Sequence, residues 1–173
     1  ADIMEWSPSE PLETVVAYHV VEHLEAYEGI ELAARVFGWL QAEGTFVVEM
    51  PDRDKCLQLI RDKVIHKDRS GVKRLVGAVG LLGGRPDDKA GYHAWIREHS
   101  EWIVKVAERN GGTFPPELVP ERWQVPGLHH KNVWTEAEYT NVLKSAGFSR
   151  VESTKPQTHG RRDWRDMRLE AVK

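Results

Sequence analysis

The residues best suited to chemistry lie in one pentapeptide, HVVEH, at positions 19–23. Its H-x-x-E-H spacing is the one by which two histidines, one helical turn apart, bind zinc while the glutamate activates a water molecule. That arrangement requires one continuous helix, so that both imidazole rings share a face. A zinc hydrolase centre is therefore a hypothesis that depends on the local structure of this stretch.

The residues before the pentapeptide indicate a strand instead of a helix. Residues 13–18, ETVVAY, are rich in β-branched and aromatic types. His19 is then expected at the C-terminal end of a buried strand, and His23 should point elsewhere. His129, His130 and His159 are further imidazoles, but their spacing follows no ligand pattern. We assign no metal ligands from the sequence and keep a zinc hydrolase using HVVEH as a remote alternative.

A helix and a second strand follow the pentapeptide. Apolar residues at three- and four-residue steps predict an amphipathic helix from about Leu24, which Gly44 should end. Residues 45–50, TFVVEM, read as another buried strand, closed by Pro51 because proline cannot extend a ladder. Strand, helix and strand in this order predict a right-handed parallel crossover.

The middle of the chain lacks this regularity, and we interpret residues 53–132 as an insertion or lid within a single domain, 1–173. Its expected parts are a helix at 56–65, a glycine-rich segment at 75–84, a helix at 93–107 and a proline-rich segment at 114–126. Trp95, Trp102 and Trp123 could form the core of this insertion or an aromatic wall for a ligand. The sequence leaves both open.

Regular structure returns at Thr135, which begins a capping box with Glu138. The helix that follows should end at Gly147. Residues 148–154 and 166–172 read as strands, and the short link between them predicts antiparallel pairing. The expected fold class is α/β, a partial sheet with parallel strands, an antiparallel C-terminal hairpin and a helical insertion.

Composition restricts the partners. The 173 residues contain 24 Lys and Arg against 27 Asp and Glu, so no strong field favours nucleic acid or an anionic membrane. A single cysteine, Cys56, is typical of a reducing compartment, and no apolar run reaches the roughly 20 residues of a membrane span. We expect a soluble, cytoplasmic protein that acts on small molecules.

Four phrases in one order carry a family resemblance: YHVVEHL, TFVVEMPD, WTEAEYTNVLKSAGF and RDMRLEAVK. Together they resemble the C-terminal part of class I S-adenosylmethionine-dependent methyltransferases, over residues 1–52 and 129–173. The resemblance implies a Rossmann-like fold, S-adenosylmethionine as cofactor and methyl transfer to a small acceptor. It also implies that Tyr18 and His19 border the methyl donor and that Asp2 and Ile3 lie beside the adenine.

An acceptor hydroxyl would need a base, and the candidates are His19, His129 and His130. The segment from His159 to Asp166, HGRRDWRD, should lie on the last hairpin, where its charges either bind an anionic acceptor or pair with each other.

The sequence departs from the family in its glycines. The family's first strand leads into a glycine-rich turn that receives the cofactor, and none precedes Ala1. Gly77, Gly80, Gly83 and Gly84 are expected to follow no strand and open no helix. We therefore expect either an N-terminally truncated, incomplete methyltransferase whose cofactor binding is impaired, or a non-catalytic interaction module. In both cases the strand at 14–18 would be an apolar edge, which predicts a homo-oligomer.

Overall fold

A four-stranded mixed sheet is built from both ends of the chain. The computed structural model describes residues 3–67, 73–83, 88–110, 116–124, 129–158 and 164–173. The strands are β1 (Leu12–Tyr18), β2 (Leu40–Pro51), β5 (Arg150–Thr154) and β6 (Asp166–Val172), in the order β1-β2-β6-β5. β1 and β2 are parallel, and β6 pairs antiparallel with both β2 and β5. The predicted α/β class, crossover and antiparallel C-terminal pair are confirmed.

Helix α1 (Ala26–Trp39) makes the crossover from β1 to β2. The Glu28 carboxylate closes its first turn by accepting from the Glu25 backbone N–H at 2.8 Å. The predicted stop at Gly44 is wrong, because the helix ends at Trp39 and the chain enters β2 directly. Gly44 lies instead where the register of β1 and β2 shifts, and a Cβ there would lie 2.9 Å from the Gln41 carbonyl oxygen.

Helix α6 (Glu136–Ala146) follows its local signals closely. The Glu138 N–H donates to the Thr135 hydroxyl at 3.1 Å, and the Glu138 carboxylate accepts from the Thr135 N–H at 2.9 Å. Gly147 ends the helix with φ of +112°, a left-handed conformation that glycine adopts without strain. The predicted capping box and helix end are confirmed.

The insertion has its own secondary structure. Its helices are α2 (Arg53–Arg61), α3 (Val76–Leu82), α4 (Lys89–Glu98) and α5 (Ser100–Arg109), and its strands β3 (Ile65–Lys67) and β4 (Lys73–Leu75) pair antiparallel. Short 3-10 turns occupy Pro116–Leu118 and Glu121–Trp123. The predicted single helix at 93–107 is wrong, because His99 separates α4 from α5 with φ of −101° and ψ of 14°.

The buried apolar residues that the structure describes form two hydrophobic cores. The first takes its buried members from residues 17–50 and 134–171, where α1 and α6 cover the sheet. The second takes all of its buried members from residues 56–133. The interpretation of residues 53–132 as an insertion or lid within a single domain stays a prediction.

The glycine-rich segment forms structure that the sequence did not predict. Gly77 and Gly80 belong to α3, which directly follows β4, so the expectation that these glycines follow no strand and open no helix is wrong. Their function is close packing against α2, because a Cβ at Gly80 would lie 2.5 Å from the Cys56 sulfur. Gly83 ends α3, and Gly84 lies outside the described residues.

The candidate aromatic and thiol groups of the insertion differ in exposure. Trp123 is 3% exposed and belongs to the second core, Trp95 packs against that core, and Trp102 is 37% exposed. Cys56 is fully buried, and burial raises the pKa of its thiol, so the group is a core residue. Among the described residues, no helix combines the length and apolar character needed to cross a bilayer.

Gly77→Ala tests the close contact of α2 and α3. A Cβ at this position would lie 2.2 Å from the Cys56 carbonyl oxygen, so the backbones must separate and the free energy of unfolding should fall by about 1–3 kcal/mol. Gly38→Ala is the matched control within α1, since nothing lies within 4 Å of its Cβ, and it should gain up to about 1 kcal/mol. Urea denaturation followed by circular dichroism measures both. Equal effects of the two substitutions would contradict the packing.

Candidate functional site

Polar side chains collect where β1 and β2 end and β6 begins. The backbone N–H of His19 donates to the Glu49 carbonyl oxygen at 2.8 Å, which extends the pairing of β1 and β2 by one residue. His19 itself has φ of +53°, a left-handed conformation that is uncommon for residues other than glycine. The chain therefore turns sharply out of the sheet and enters a 3-10 turn, Val21–His23.

This local structure decides the meaning of HVVEH. His19 follows a strand and His23 ends a 3-10 turn, so the two rings do not share a helical face. The prediction that the pentapeptide is not a continuous helix is confirmed, and the geometry that a zinc hydrolase of this motif needs is absent from these residues.

The His19 ring lies between two buried carboxylates. Its Nδ1 donates to Glu22 Oε1 at 2.9 Å, and its Nε2 lies 3.6 Å from Asp166 Oδ2. Asp166 also accepts two hydrogen bonds from the Arg165 guanidinium, at 2.6 and 3.0 Å. Burial alone would raise the pKa of Glu22, but interactions led by the hydrogen bond from His19 outweigh it and lower that pKa. Glu22 is therefore ionised at neutral pH, and its charge orients the His19 ring.

His129 and His130 lie beside Glu22 and His23. His130 donates from its backbone N–H to Leu82 at 3.2 Å and from Nδ1 to the Gly80 carbonyl oxygen at 2.6 Å. Burial lowers the pKa of its ring to about 4, so it is neutral at physiological pH. Burial also lowers the pKa of His129, whose carbonyl oxygen accepts from His23 Nδ1 at 3.0 Å.

The sequence missed one grouping that the structure makes. Glu22, His23 and His130 each offer a ligand atom, and these three atoms lie within 4.8 Å of one another. The pairing of residues 22 and 23 with residue 130 spans more than 100 positions, so no local spacing could reveal it. The adjacent Glu22 and His23, followed far downstream by His129 and His130, were the available signal.

The other predicted site residues have mixed placements. Tyr18 is 38% exposed, and its hydroxyl oxygen accepts from Arg168 at 3.4 Å. Ile3 packs against the first core, and Asp2 lies outside the described residues. Of the segment HGRRDWRD, residues 159–163 also lie outside them, while Arg165 and Asp166 form the internal pair. Trp164 stacks on His66 of β3 at 5.2 Å.

Glu49 anchors the segment that leads from β5 towards β6. Its buried carboxylate accepts from the backbone N–H groups of Gln157 and Thr158, both at 2.8 Å, and from the Thr158 hydroxyl. Arg168 lies 3.5 Å away. Burial alone would raise the pKa of Glu49, but these hydrogen bonds outweigh it and lower the pKa. This carboxylate is structural, since its oxygens are occupied by the chain itself.

Comparison with known proteins finds similarity in solved structures alone, at low sequence identity. No protein-family model and no curated protein matches the chain. Among solved structures, S-adenosylmethionine-dependent methyltransferase SibL in its apo form has 14% identity and a TM-score of 0.49, covering 100% of this chain and 34% of that one. A Burkholderia thailandensis 1,6-didemethyltoxoflavin-N1-methyltransferase has 12% identity and a TM-score of 0.49, covering 100% of this chain and 48% of that one.

A third solved structure, an S-adenosylmethionine-dependent methyltransferase from Mesorhizobium loti, has 14% identity and a TM-score of 0.46, covering 100% of this chain and 68% of that one. This chain thus spans a third to a half of the first two proteins. Because all three TM-scores lie below 0.5, the activity has to be argued from the residues of this chain.

Glu49→Gln tests the anchoring carboxylate. The substitution removes a charge that accepts three hydrogen bonds in a buried place, so the free energy of unfolding at pH 7 should fall by about 1–3 kcal/mol. Since the folded-state pKa lies below 4.5, this stability is present above pH 4.5 and is lost as the pH falls through that pKa. The variant should therefore lose less stability than the parent below pH 4.5.

Glu152→Gln is the matched control for this experiment, because Glu152 lies on β5 with 60% of its side chain exposed. Urea midpoints between pH 3.5 and 7 provide the measurement. If both variants follow the parent curve, Glu49 has no anchoring role.

Proposed function

We propose that this chain serves S-adenosylmethionine-dependent methyl transfer to a small-molecule acceptor. The carrying observation is that the four family-like phrases fall on β1 with its exit turn, on β2, on α6 and on β6, elements of one folded unit. In open α/β sheets, ligands bind beyond the carboxyl ends of the parallel strands. Tyr18 and His19 lie at that end of β1.

His19 is the proposed base. Its Nδ1 donates to an ionised Glu22, so Nε2 would carry the lone pair for the acceptor's proton. Nε2 is buried, so the acceptor would have to displace neighbouring groups to reach it. The imidazolium that results would be stabilised by Glu22 and by Asp166, which lies 3.6 Å from Nε2.

His129 and His130 were the other candidate bases, and their contacts make them weaker ones. His130 donates Nδ1 to Gly80, and the bridge between His129 and Gly83 ties this segment to the end of α3. Both rings have lowered pKa values. A ring with a lowered pKa is a weak proton acceptor at neutral pH.

The bound cofactor would supply the methyl group, and this chain offers Tyr18, His19 and Ile3 to hold it. Tyr18 is partly exposed beside His19 and could stack on the cofactor. The glycines of α3 offer no cradle, because the space beside Gly77 and Gly80 is filled by α2. The described residues thus fit one wall of a cofactor site.

A non-catalytic interaction module is the second candidate, and the edge of the sheet favours it. Among the described residues β1 has one strand neighbour, β2, and it exposes Val16 to 53% and Tyr18 to 38%. An exposed edge strand with apolar side chains is a template for pairing with another chain. We propose that a second copy pairs there about a two-fold axis.

Titration calorimetry with S-adenosylhomocysteine tests the cofactor proposal. Saturable binding of one equivalent at micromolar affinity is expected. Tyr18→Ala should weaken it about tenfold, because loss of one aromatic contact is worth about 1.4 kcal/mol. Tyr27→Ala, at a 66% exposed position on α1, should have no effect. No binding, or equal weakening by both variants, would contradict a cofactor site at the end of β1.

Light scattering on the purified chain tests the edge pairing. The expected mass is that of a dimer. Val16→Lys should return it to one chain, because a lysine on an edge strand opposes pairing. Ile30→Lys is the control, since Ile30 is 50% exposed on α1, and it should leave the dimer intact. A parent mass equal to one chain would refute the proposal.

A further inference from the structure

We propose that Glu22, His23 and His130 form a binding site for a divalent transition-metal ion of the zinc type. Their three ligand atoms lie within 4.8 Å of one another at the end of β1. The inference goes beyond methyl transfer and does not depend on it, because it concerns a different ligand with its own measurement.

The buried carboxylate is the first argument. Glu22 is 0% exposed, and one of its oxygens, Oε1, accepts the hydrogen bond from His19. The other, Oε2, is buried and has no hydrogen-bond partner among the described residues. A buried carboxylate oxygen without a hydrogen-bond partner destabilises the folded chain. A cation bound to Oε2 would satisfy it.

The protonation of the two rings is the second argument. His23 Nδ1 lies 3.0 Å from the His129 carbonyl oxygen, and His130 Nδ1 lies 2.6 Å from the Gly80 carbonyl oxygen. A carbonyl oxygen only accepts, so each Nδ1 must carry the proton and each Nε2 must carry a lone pair. Backbone carbonyls that hold a histidine in this tautomer are the usual outer support of a metal-binding imidazole.

Backbone bonds hold the three ligands in place without a metal. The Glu22 carbonyl oxygen accepts from the N–H groups of Lys131 at 2.8 Å and Asn132 at 3.3 Å. The N–H of His130 in turn donates to Leu82. The turn after β1, the end of α3 and the segment before α6 are thereby joined, and each contributes a ligand or its support.

The donor set favours zinc over magnesium or calcium. Two imidazole nitrogens and one carboxylate oxygen are the three protein ligands of several catalytic zinc sites, which keep a fourth position open. Magnesium and calcium prefer oxygen ligands. Ligands of a tetrahedral zinc at roughly 2.0–2.1 Å lie about 3.3 Å apart, so the side chains would close by an ångström or so.

The proposed metal site lies beside His19, so a bound ion would affect the chemistry at that residue. Glu22 contacts both the proposed ion and the His19 ring, so a bound ion would lie next to the proposed base. An ion with an open position lowers the pKa of a hydroxyl or water that binds there.

Cobalt is the probe, because Co²⁺ occupies zinc sites and absorbs visible light. The tag-free chain should bind one equivalent of Co²⁺ with the intense visible bands of a four- or five-coordinate ion, and Zn²⁺ should displace it. Mg²⁺ at the same concentration should not. Glu22→Gln, His23→Gln and His130→Gln should each weaken binding by at least about 100-fold, since loss of an outer support alone costs about 10–100-fold.

His99→Gln is the matched control. His99 Nδ1 also bonds a backbone carbonyl oxygen, that of Trp95, at 2.9 Å, but the residue lies outside the Glu22 cluster. This variant should bind Co²⁺ as the parent does. Far-UV circular dichroism identifies any variant that fails to fold, and the folded variants then decide whether Glu22, His23 and His130 bind the ion.

Absence of saturable Co²⁺ binding, or binding that survives in all folded cluster variants, would overturn the proposal. The S-adenosylhomocysteine titration is separate, so either proposal can fail while the other stands.

Discussion

A buried glutamate at the exit of the first strand joins the two halves of this molecule. Glu22 has no exposed surface, yet its carbonyl oxygen accepts two backbone bonds from residues 131 and 132, and its carboxylate accepts from His19. The first two contacts belong to the segment that leaves the insertion, and the third belongs to the sheet. His19 satisfies one oxygen of the buried carboxylate, and the proposed metal ion would satisfy the other, which has no hydrogen-bond partner among the described residues.

The elements set by short-range signals were predicted well. The capping box at Thr135, the strand-like run of β6 and the β-branched run of β1 each act within a few residues, and each formed the expected element. The parallel crossover and the antiparallel pairing of the last two strands followed from these elements and from their short connections.

The sequence predictions that were wrong concern segments whose structure depends on tertiary contacts. Glycines disfavour a helix by propensity, yet α3 forms because its small residues let it pack closely on α2. The hydrophobic periodicity also did not predict the break at His99, because apolar residues continue on both sides of it. In the candidate site, the position of His19 at the end of a strand was predictable. The proximity of His130 to Glu22 was not predictable, because two residues so far apart in the chain form no recognisable sequence spacing.

Helix α3 of the predicted insertion contacts both α2 and the residues beside the sheet through one glycine, Gly80. Gly80 packs on Cys56, gives its carbonyl oxygen to His130, and has Arg165 of the last hairpin within 3.1 Å of where its Cβ would be. One small residue thus has a helix, a histidine ring and an arginine on its sides. In evolutionary terms, Gly80 can change only together with these three neighbours, so a lineage that changes what it binds would be expected to keep this glycine.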